Sequence, residues 1–112
     1  MPFINTKTNV TVSTNQRETM KSRLGSDIQD IGKTESWLML GFEDEVPMYF
    51  KGSDAPCAMV EVSLFGKASA QAYDAFTEHI TNIVNEELGI TPDRIYIKYA
   101  ETQYWGWNGR NL

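Results

Sequence analysis

The sequence has one cysteine, one histidine and no long apolar run. A single cysteine, Cys57, excludes an intrachain disulfide and favours a reducing compartment, so we expect a cytoplasmic protein. No apolar stretch approaches the roughly 20 residues that span a bilayer, and no charged-then-apolar leader is present, so we expect no membrane partner. His79 has no cysteines or carboxylates at ligand spacing, and we therefore expect no metal.

Basic residues are too few for a surface that binds a polyanion. The chain has 10 Lys and Arg against 15 Asp and Glu, and its net charge is −5. Nucleic-acid-binding domains need clustered cations to displace counterions, so we expect no nucleic-acid partner. A small anionic ligand is still compatible with this charge, because one lysine can dominate a pocket. The length of 112 residues suits a single domain, which we place at 1–112.

The chain contains a strand–helix–strand pattern that occurs twice. Alternating or β-branched segments are separated by segments with a helical apolar period. The predicted elements are strands at 3–8, 37–42, 57–65 and 94–100, and helices at about 15–31 and 69–88. Gly32 and Gly89 stand where left-handed helix caps are expected, 57 positions apart (89 − 32). The two halves therefore align with each other.

Two helix and loop details are also predicted from local sequence. Asn15 precedes Glu18 by three residues, the spacing of a capping box, although Ser13 also offers an N-cap. Residues 48–50 are typical of a short edge strand. Residues 104–109 are typical of a tight aromatic turn or hairpin.

A doubled β-α-β unit predicts an α/β (α+β) fold with a four-stranded mixed sheet that carries both helices on one face. The opposite face of the sheet has mixed polarity. It must therefore be wetted or covered by a neighbour, and we expect an oligomer.

Short segments spread along the chain carry a family resemblance. They are Met1-Pro2-Phe3-Ile4, Asn9-Val10, Gly32-Lys33, Pro56-Cys57-Ala58, Gly66-Lys67, Pro92-Asp93-Arg94-Ile95-Tyr96-Ile97, Tyr99 and Gly106-Trp107-Asn108. Together they resemble the macrophage migration inhibitory factor family of the tautomerase superfamily. The resemblance implies a homotrimer with active sites at subunit interfaces. It also implies keto–enol tautomerisation of small aromatic acids, of the phenylpyruvate or dopachrome type, and a cytokine role in some members.

Pro2 is the candidate catalytic base of such a reaction. Moving a proton between carbon and oxygen needs a base that is neutral at working pH, and an N-terminal amine comes closer to this than a lysine. An apolar pocket and a nearby Lys33 would lower the pKa of that amine further. The role requires loss of Met1, because an acylated proline nitrogen is an amide. The alternative is a proline that only begins an edge strand.

The resemblance also implies the substrate-binding residues. Lys33 matches the family's lysine for the substrate carboxylate, and the hydroxyl of Tyr96 is expected to reach the adjacent subunit's pocket. Lys98 shares the strand face of Tyr96 and stands where the family has asparagine, so we expect a second cation there. Two plainer alternatives stay open: Lys33 complements a helix dipole, and Tyr96 is a surface tyrosine.

Aromatic side chains are the remaining candidates for the pocket. Trp37 and Phe65 would supply apolar walls, and Phe65 stands where a smaller aliphatic residue is usual in the family. Trp107 is a further candidate that either stacks on a ligand or covers a subunit interface. Cys57 lacks a second cysteine three positions later, so the family's thiol motif is absent and Cys57 is interpreted as a buried apolar residue.

The sequence therefore predicts a tautomerase that works without a cofactor. The alternative is a cytokine-like signalling or interaction protein in which tautomerase activity is vestigial. A third hypothesis is decarboxylation or hydration on the same proline. Release from the cell by a route that needs no signal is an alternative to the cytoplasm, since such a route leaves no mark in the sequence.

Overall fold

The computed structural model describes all 112 residues and consists of a mixed four-stranded sheet with two helices packed on one face. The strands are β1 (Pro2–Thr8), β2 (Met39–Glu43), β3 (Ala58–Phe65) and β4 (Ile95–Thr102). Their order is β2-β1-β3-β4. β1 runs parallel to β2 and antiparallel to β3, and β3 runs parallel to β4. The predicted fold class is confirmed.

The helices are α1 (Thr14–Asp27) and α2 (Ala70–Leu88), and a 3-10 turn over Ile28–Ile31 continues α1. Gly32 and Gly89 end the two helical segments with φ of 74° and 71°, as predicted. No helix of the chain combines the length and the apolar character needed to cross a membrane. The core cluster comprises Ile4, Met20, Leu24, Ile28, Ile31, Ala58, Val60, Val62, Leu64, Phe76, Ile80, Ile83, Val84, Ile90 and Ile95.

The capping box of α1 differs from the prediction. Ser13 is the N-cap: its Oγ accepts a hydrogen bond from the Gln16 N–H at 3.1 Å, and the Gln16 Oε1 accepts from the Ser13 N–H at 2.8 Å. The Gln16 Nε2 also donates to the carbonyl of Glu87 on α2 at 3.0 Å. The Asn15–Glu18 prediction was wrong: Ser13 and Gln16 have the same spacing and a capping-box sequence, and they form the box.

Some strand predictions were also wrong at their boundaries. Residues 35–37 form a 3-10 turn, so β2 begins at Met39, which pairs with Phe3. Residues 92–94 form another such turn, and β4 begins after it. Residues 48–50 form no strand, because Phe50 bridges only to Ser53 within its own loop and has no neighbouring strand to join.

The chain ends in a small hairpin of β5 (Gly106–Trp107) and β6 (Arg110–Asn111). Its two turn residues, Asn108 and Gly109, have φ of 52° and 84°. Positive φ at both positions favours asparagine followed by glycine, which is the sequence found here. The predicted hairpin is confirmed.

The face of the sheet that lies opposite the helices is not covered by any element of the chain. It carries polar pairs across strands: the Asn5 Nδ2 donates to Glu43 at 2.7 Å, and the Lys98 Nζ lies 3.9 Å from a Glu61 carboxylate oxygen. Tyr96 on this face is 60% exposed. This is the face of mixed polarity that the sequence predicted.

The sole histidine joins the two helical segments. The His79 Nδ1 lies 2.5 Å from an Asp30 carboxylate oxygen, and this hydrogen bond raises the pKa of His79 above its ordinary value of 6.5. Because the pKa of His79 is raised in the folded state, the pair contributes its full stabilisation of the fold below pH 6.5. This contribution is lost as pH rises through the raised pKa.

We therefore expect the free energy of unfolding to fall with rising pH in the native protein, but to change less in His79→Gln. The change with pH in the native protein should exceed the change in His79→Gln by less than about 1 kcal/mol, because the pair is partly exposed. Urea denaturation at about pH 6 and about pH 8 measures it. Asp30→Asn should behave like His79→Gln, whereas equal pH dependence in all three proteins would contradict the interpretation.

Candidate active site

Pro2 lies at the start of an inner strand. It is buried and faces Leu64 across the β1–β3 pairing. Proline suits the first position of a strand because it has no N–H to contribute to the ladder. The carbonyl of Met1 continues the ladder by accepting a hydrogen bond from the Phe65 N–H at 3.0 Å. The Pro2 nitrogen is therefore next to the backbone where β3 ends.

Lys33 reaches the same backbone from the helical side. It directly follows the left-handed cap Gly32, and its half-buried side chain donates from Nζ to the carbonyl of Phe65 at 3.0 Å. The Phe65 N–H thus bonds to Met1 while the Phe65 carbonyl bonds to Lys33. The structure brings Pro2, Lys33 and Phe65, three of the residues singled out from sequence, to the same corner.

The pKa of the N-terminal amine reflects the burial and the charge of this corner. Burial first, and the Lys33 ammonium second, lower the pKa of the Met1 amine from its ordinary value of 8.0. Both effects penalise a positive charge at this position.

Two tryptophans form an aromatic rim at the same end of the sheet. Phe3 pairs with Met39, so Trp37 lies just beyond the start of β1. Trp107 of the tail hairpin meets Trp37 edge to face, with ring centroids 5.0 Å apart. The two side chains are 49% and 48% exposed, which leaves them accessible to a ligand or to a neighbouring molecule.

Tyr96 is not near Pro2 within one chain. It pairs with Met59, which in turn pairs with Lys7, five residues along β1 from Pro2. At about 3.3 Å per residue this separates Tyr96 from Pro2 by about 17 Å along the strands alone.

Lys98 lies on the same strand face as Tyr96, beside Glu61 rather than beside the N-terminus. The candidate residues therefore form two groups: Pro2, Lys33, Trp37, Phe65 and Trp107 at one end of the sheet, and Tyr96 with Lys98 on the uncovered face.

The clefts of the isolated chain agree with this division. An apolar cleft of about 410 Å³ is lined by residues 48–51, by Cys57, Ala58 and Met59, and by Tyr96. Pro2 lines none of the five main clefts. Within a single chain, therefore, the Tyr96 surface carries an open cleft and Pro2 does not. No group of three or more His, Cys, Asp or Glu side chains could hold a metal ion.

Sequence reasoning missed two contacts of this region. The Phe65 peptide links Met1 to Lys33 through its backbone, and a backbone contact leaves no signal in residue type. Glu61 faces Lys98 across two parallel strands. The alternating patterns of β3 and β4 place Glu61 and Lys98 on one face of the sheet. That the two residues are neighbours follows only when the register of the strands is known.

Comparisons with known proteins agree over the whole chain. The model of the family described as "Macrophage migration inhibitory factor (MIF)" matches residues 1–112. The crystal structure of Leishmania major MIF2 superposes with a TM-score of 0.95 at 34% identity, covering 100% of this chain and 97% of that one. The macrophage migration inhibitory factor of Meriones unguiculatus is 28% identical over 97% of this chain and 96% of its own. D-dopachrome decarboxylase-B of Xenopus laevis is 25% identical over 97% and 95%.

Proposed function

Because the chain belongs to the macrophage migration inhibitory factor family, we propose that it is a cofactor-free keto–enol tautomerase whose base is Pro2 after removal of Met1. The similarity to a D-dopachrome decarboxylase supports an enzyme of this general type. The observation that carries the proposal is the meeting of the N-terminus, the Lys33 ammonium and the Phe65 peptide in one partly buried corner.

Removal of Met1 changes this corner in two ways. The Pro2 nitrogen becomes a secondary amine that can accept a proton, and its pKa is held down by burial and by Lys33. The Phe65 N–H loses the Met1 carbonyl that it bonds at 3.0 Å. A donor next to the new amine is then free for an oxygen of the substrate.

The proposed reaction moves one proton. The carboxylate of a phenylpyruvate-type substrate binds the Lys33 ammonium and the Phe65 N–H. The neutral Pro2 nitrogen takes a proton from the carbon next to the ketone, and the electrons of that C–H bond form the C=C bond. The carbonyl π electrons move to the oxygen, which gains a proton from a hydroxyl donor. Exchange with water then removes the proton from Pro2 and returns one to the donor. The reverse sequence returns the keto form. Trp37, Trp107 and the Phe65 side chain are the apolar walls that a flat aromatic substrate would contact.

The oxygen needs a donor, and we assign it to the Tyr96 hydroxyl of an adjacent subunit. The spacing of about 17 Å along the strands excludes Tyr96 of the same chain at its own Pro2. The uncovered sheet face and the open cleft beside Tyr96 favour contact with another copy. We therefore propose a homotrimer with three active sites at its subunit interfaces, in line with the family resemblance.

Lys98 gives this proposal a specific test because its charge is opposed by Glu61 at 3.9 Å. We expect Lys98→Asn to raise KM for an anionic substrate about threefold, since a screened charge pair is worth under ~1 kcal/mol. It should also raise the apparent pKa of the base, because a nearby positive charge is lost. Glu61→Gln should shift both quantities in the opposite direction. Unchanged KM and pH–rate profiles in both variants would contradict a role for Lys98 at the pocket.

The activity itself is tested with phenylpyruvate. The loss of enol absorbance measures tautomerisation, and proton NMR in D2O measures deuterium entry at the carbon next to the ketone. We expect both with protein that lacks Met1. Processed, folded protein that gives neither signal would favour the alternative function, a cytokine-like interaction protein with vestigial activity.

A further inference from the structure

We infer that Arg94 is a positioning residue for Tyr96, and that it acts through Phe50. The catalytic consequence of this inference rests on the proposed function, whereas the contact itself does not. Arg94 belongs to the 92–97 segment that the sequence singled out, and no step of the proposed reaction uses it.

Arg94 binds the loop over 50–56 through four backbone carbonyls. Its Nε donates to Pro56 at 2.9 Å, its Nη1 to Phe50 at 3.1 Å, and its Nη2 to Ser53 and Ala55 at 3.2 and 3.0 Å. One planar guanidinium thereby joins both ends of the loop. A lysine has a single ammonium with no fork of donors and cannot reproduce this set of bonds.

The same guanidinium also contacts the ring of Phe50. The Arg94 Cζ lies 5.2 Å from the ring centroid, within the range of a cation–π contact. The Phe50 ring in turn packs on Tyr96, with centroids 4.6 Å apart and planes tilted by 48°. Arg94 therefore fixes both the backbone and the ring of the residue on which Tyr96 packs. Tyr96 is 60% exposed, so most of its side chain is in solvent and its packing on Phe50 limits the orientations of the ring.

A second anchor of the same loop provides a matched control. The Asn9 Nδ2 donates to the carbonyls of Asp54 and Ala55 at 3.0 and 3.1 Å, and its Oδ1 accepts from the Cys57 N–H at 2.9 Å. None of these bonds reaches Phe50. Loss of Asn9 loosens the loop near β3, whereas loss of Arg94 also releases Phe50.

The experiment uses full-length protein labelled with 3-fluorotyrosine. The chain has five tyrosines, and Tyr96→Phe identifies the fluorine resonance of Tyr96 by its disappearance. We expect that resonance to shift or broaden in Arg94→Lys and in Phe50→Leu, but to stay in place in Asn9→Ala. An unmoved Tyr96 resonance in Arg94→Lys, or an equal change in Asn9→Ala, would overturn the inference. If Arg94→Lys does not fold, Arg94→Gln decides by the same criterion.

Kinetics give the second readout. We expect Arg94→Lys to lower kcat about tenfold with little change in KM, because a displaced group costs rate in the transition state. The Arg94→Lys/Phe50→Leu double variant should be no slower than the worse single variant, since both changes act on one contact. Additive losses would overturn the route through Phe50. If native protein shows no turnover, the proposed function fails while the fluorine spectra still decide the positioning of Tyr96.

Discussion

Pro2→Gly is expected to lower kcat/KM for phenylpyruvate by about 100-fold or more. A positioned general base contributes about 10²–10⁴ in rate, and glycine leaves only a mobile primary amine in place of the rigid ring nitrogen. Glycine at the second position should still allow Met1 to be removed, so the comparison concerns the base alone. Steady-state kinetics on samples of verified mass measure the effect. Activity within about twofold of the native protein would contradict the assignment of Pro2 as base.

The pH profile of the same reaction shows whether the surroundings of the base lower or raise its pKa. The base acts when neutral, so kcat/KM should rise with pH through its pKa, and burial together with Lys33 should place this rise below about 8. Lys33→Gln removes a repelling charge, which raises that pKa and moves the rise to higher pH. It should also raise KM. Lys21→Gln, at an exposed lysine on α1, is the matched control and should change neither quantity.

Mixed assemblies are expected to recover activity that neither parent variant has. Pro2→Gly damages the N-terminal side of a site, and Tyr96→Ala damages the side that we assign to the adjacent subunit. In trimers assembled at random from equal amounts of both chains, about a quarter of the sites combine an intact Pro2 with an intact Tyr96. Co-refolding the two variants should therefore restore about a quarter of native activity, after subtraction of the parents.

A second mixture makes this result specific. Pro2 and Lys33 lie in the same corner of one chain, so a mixture of Pro2→Gly with Lys33→Gln creates no site in which both are intact. It should recover nothing. Native mass spectrometry shows whether chains have exchanged. Exchanged Pro2→Gly/Tyr96→Ala trimers that stay as inactive as their parents would contradict a site shared between subunits.

The helices and the core could be predicted from sequence because their signals are local. The apolar period of α2, with Phe76 and Ile80 inward, and the glycine caps depend on residues only a few positions apart. The doubled pattern then limits the topology of the sheet, which is why its mixed four-stranded form was predicted correctly.

The capping box of α1 is a local signal that was misassigned, because Ser13–Gln16 and Asn15–Glu18 have the same spacing. The other omissions concern contacts between distant segments, such as the bonds that Arg94 donates to the loop over 50–56. At the site, the Lys33–Phe65 bond joins residues 32 positions apart. Residue type suggested Lys33 and Phe65 as candidates, but only the fold shows that they meet through a backbone carbonyl.

The most direct test of the central claim measures intact mass and phenylpyruvate turnover on the same sample, with and without Met1. We expect turnover only in protein whose mass lacks the initiator methionine. We also expect that removing Met1 from an inactive sample with an aminopeptidase restores activity. Equal turnover in protein that retains Met1 would contradict the role of Pro2 as base, because its nitrogen would then be an amide.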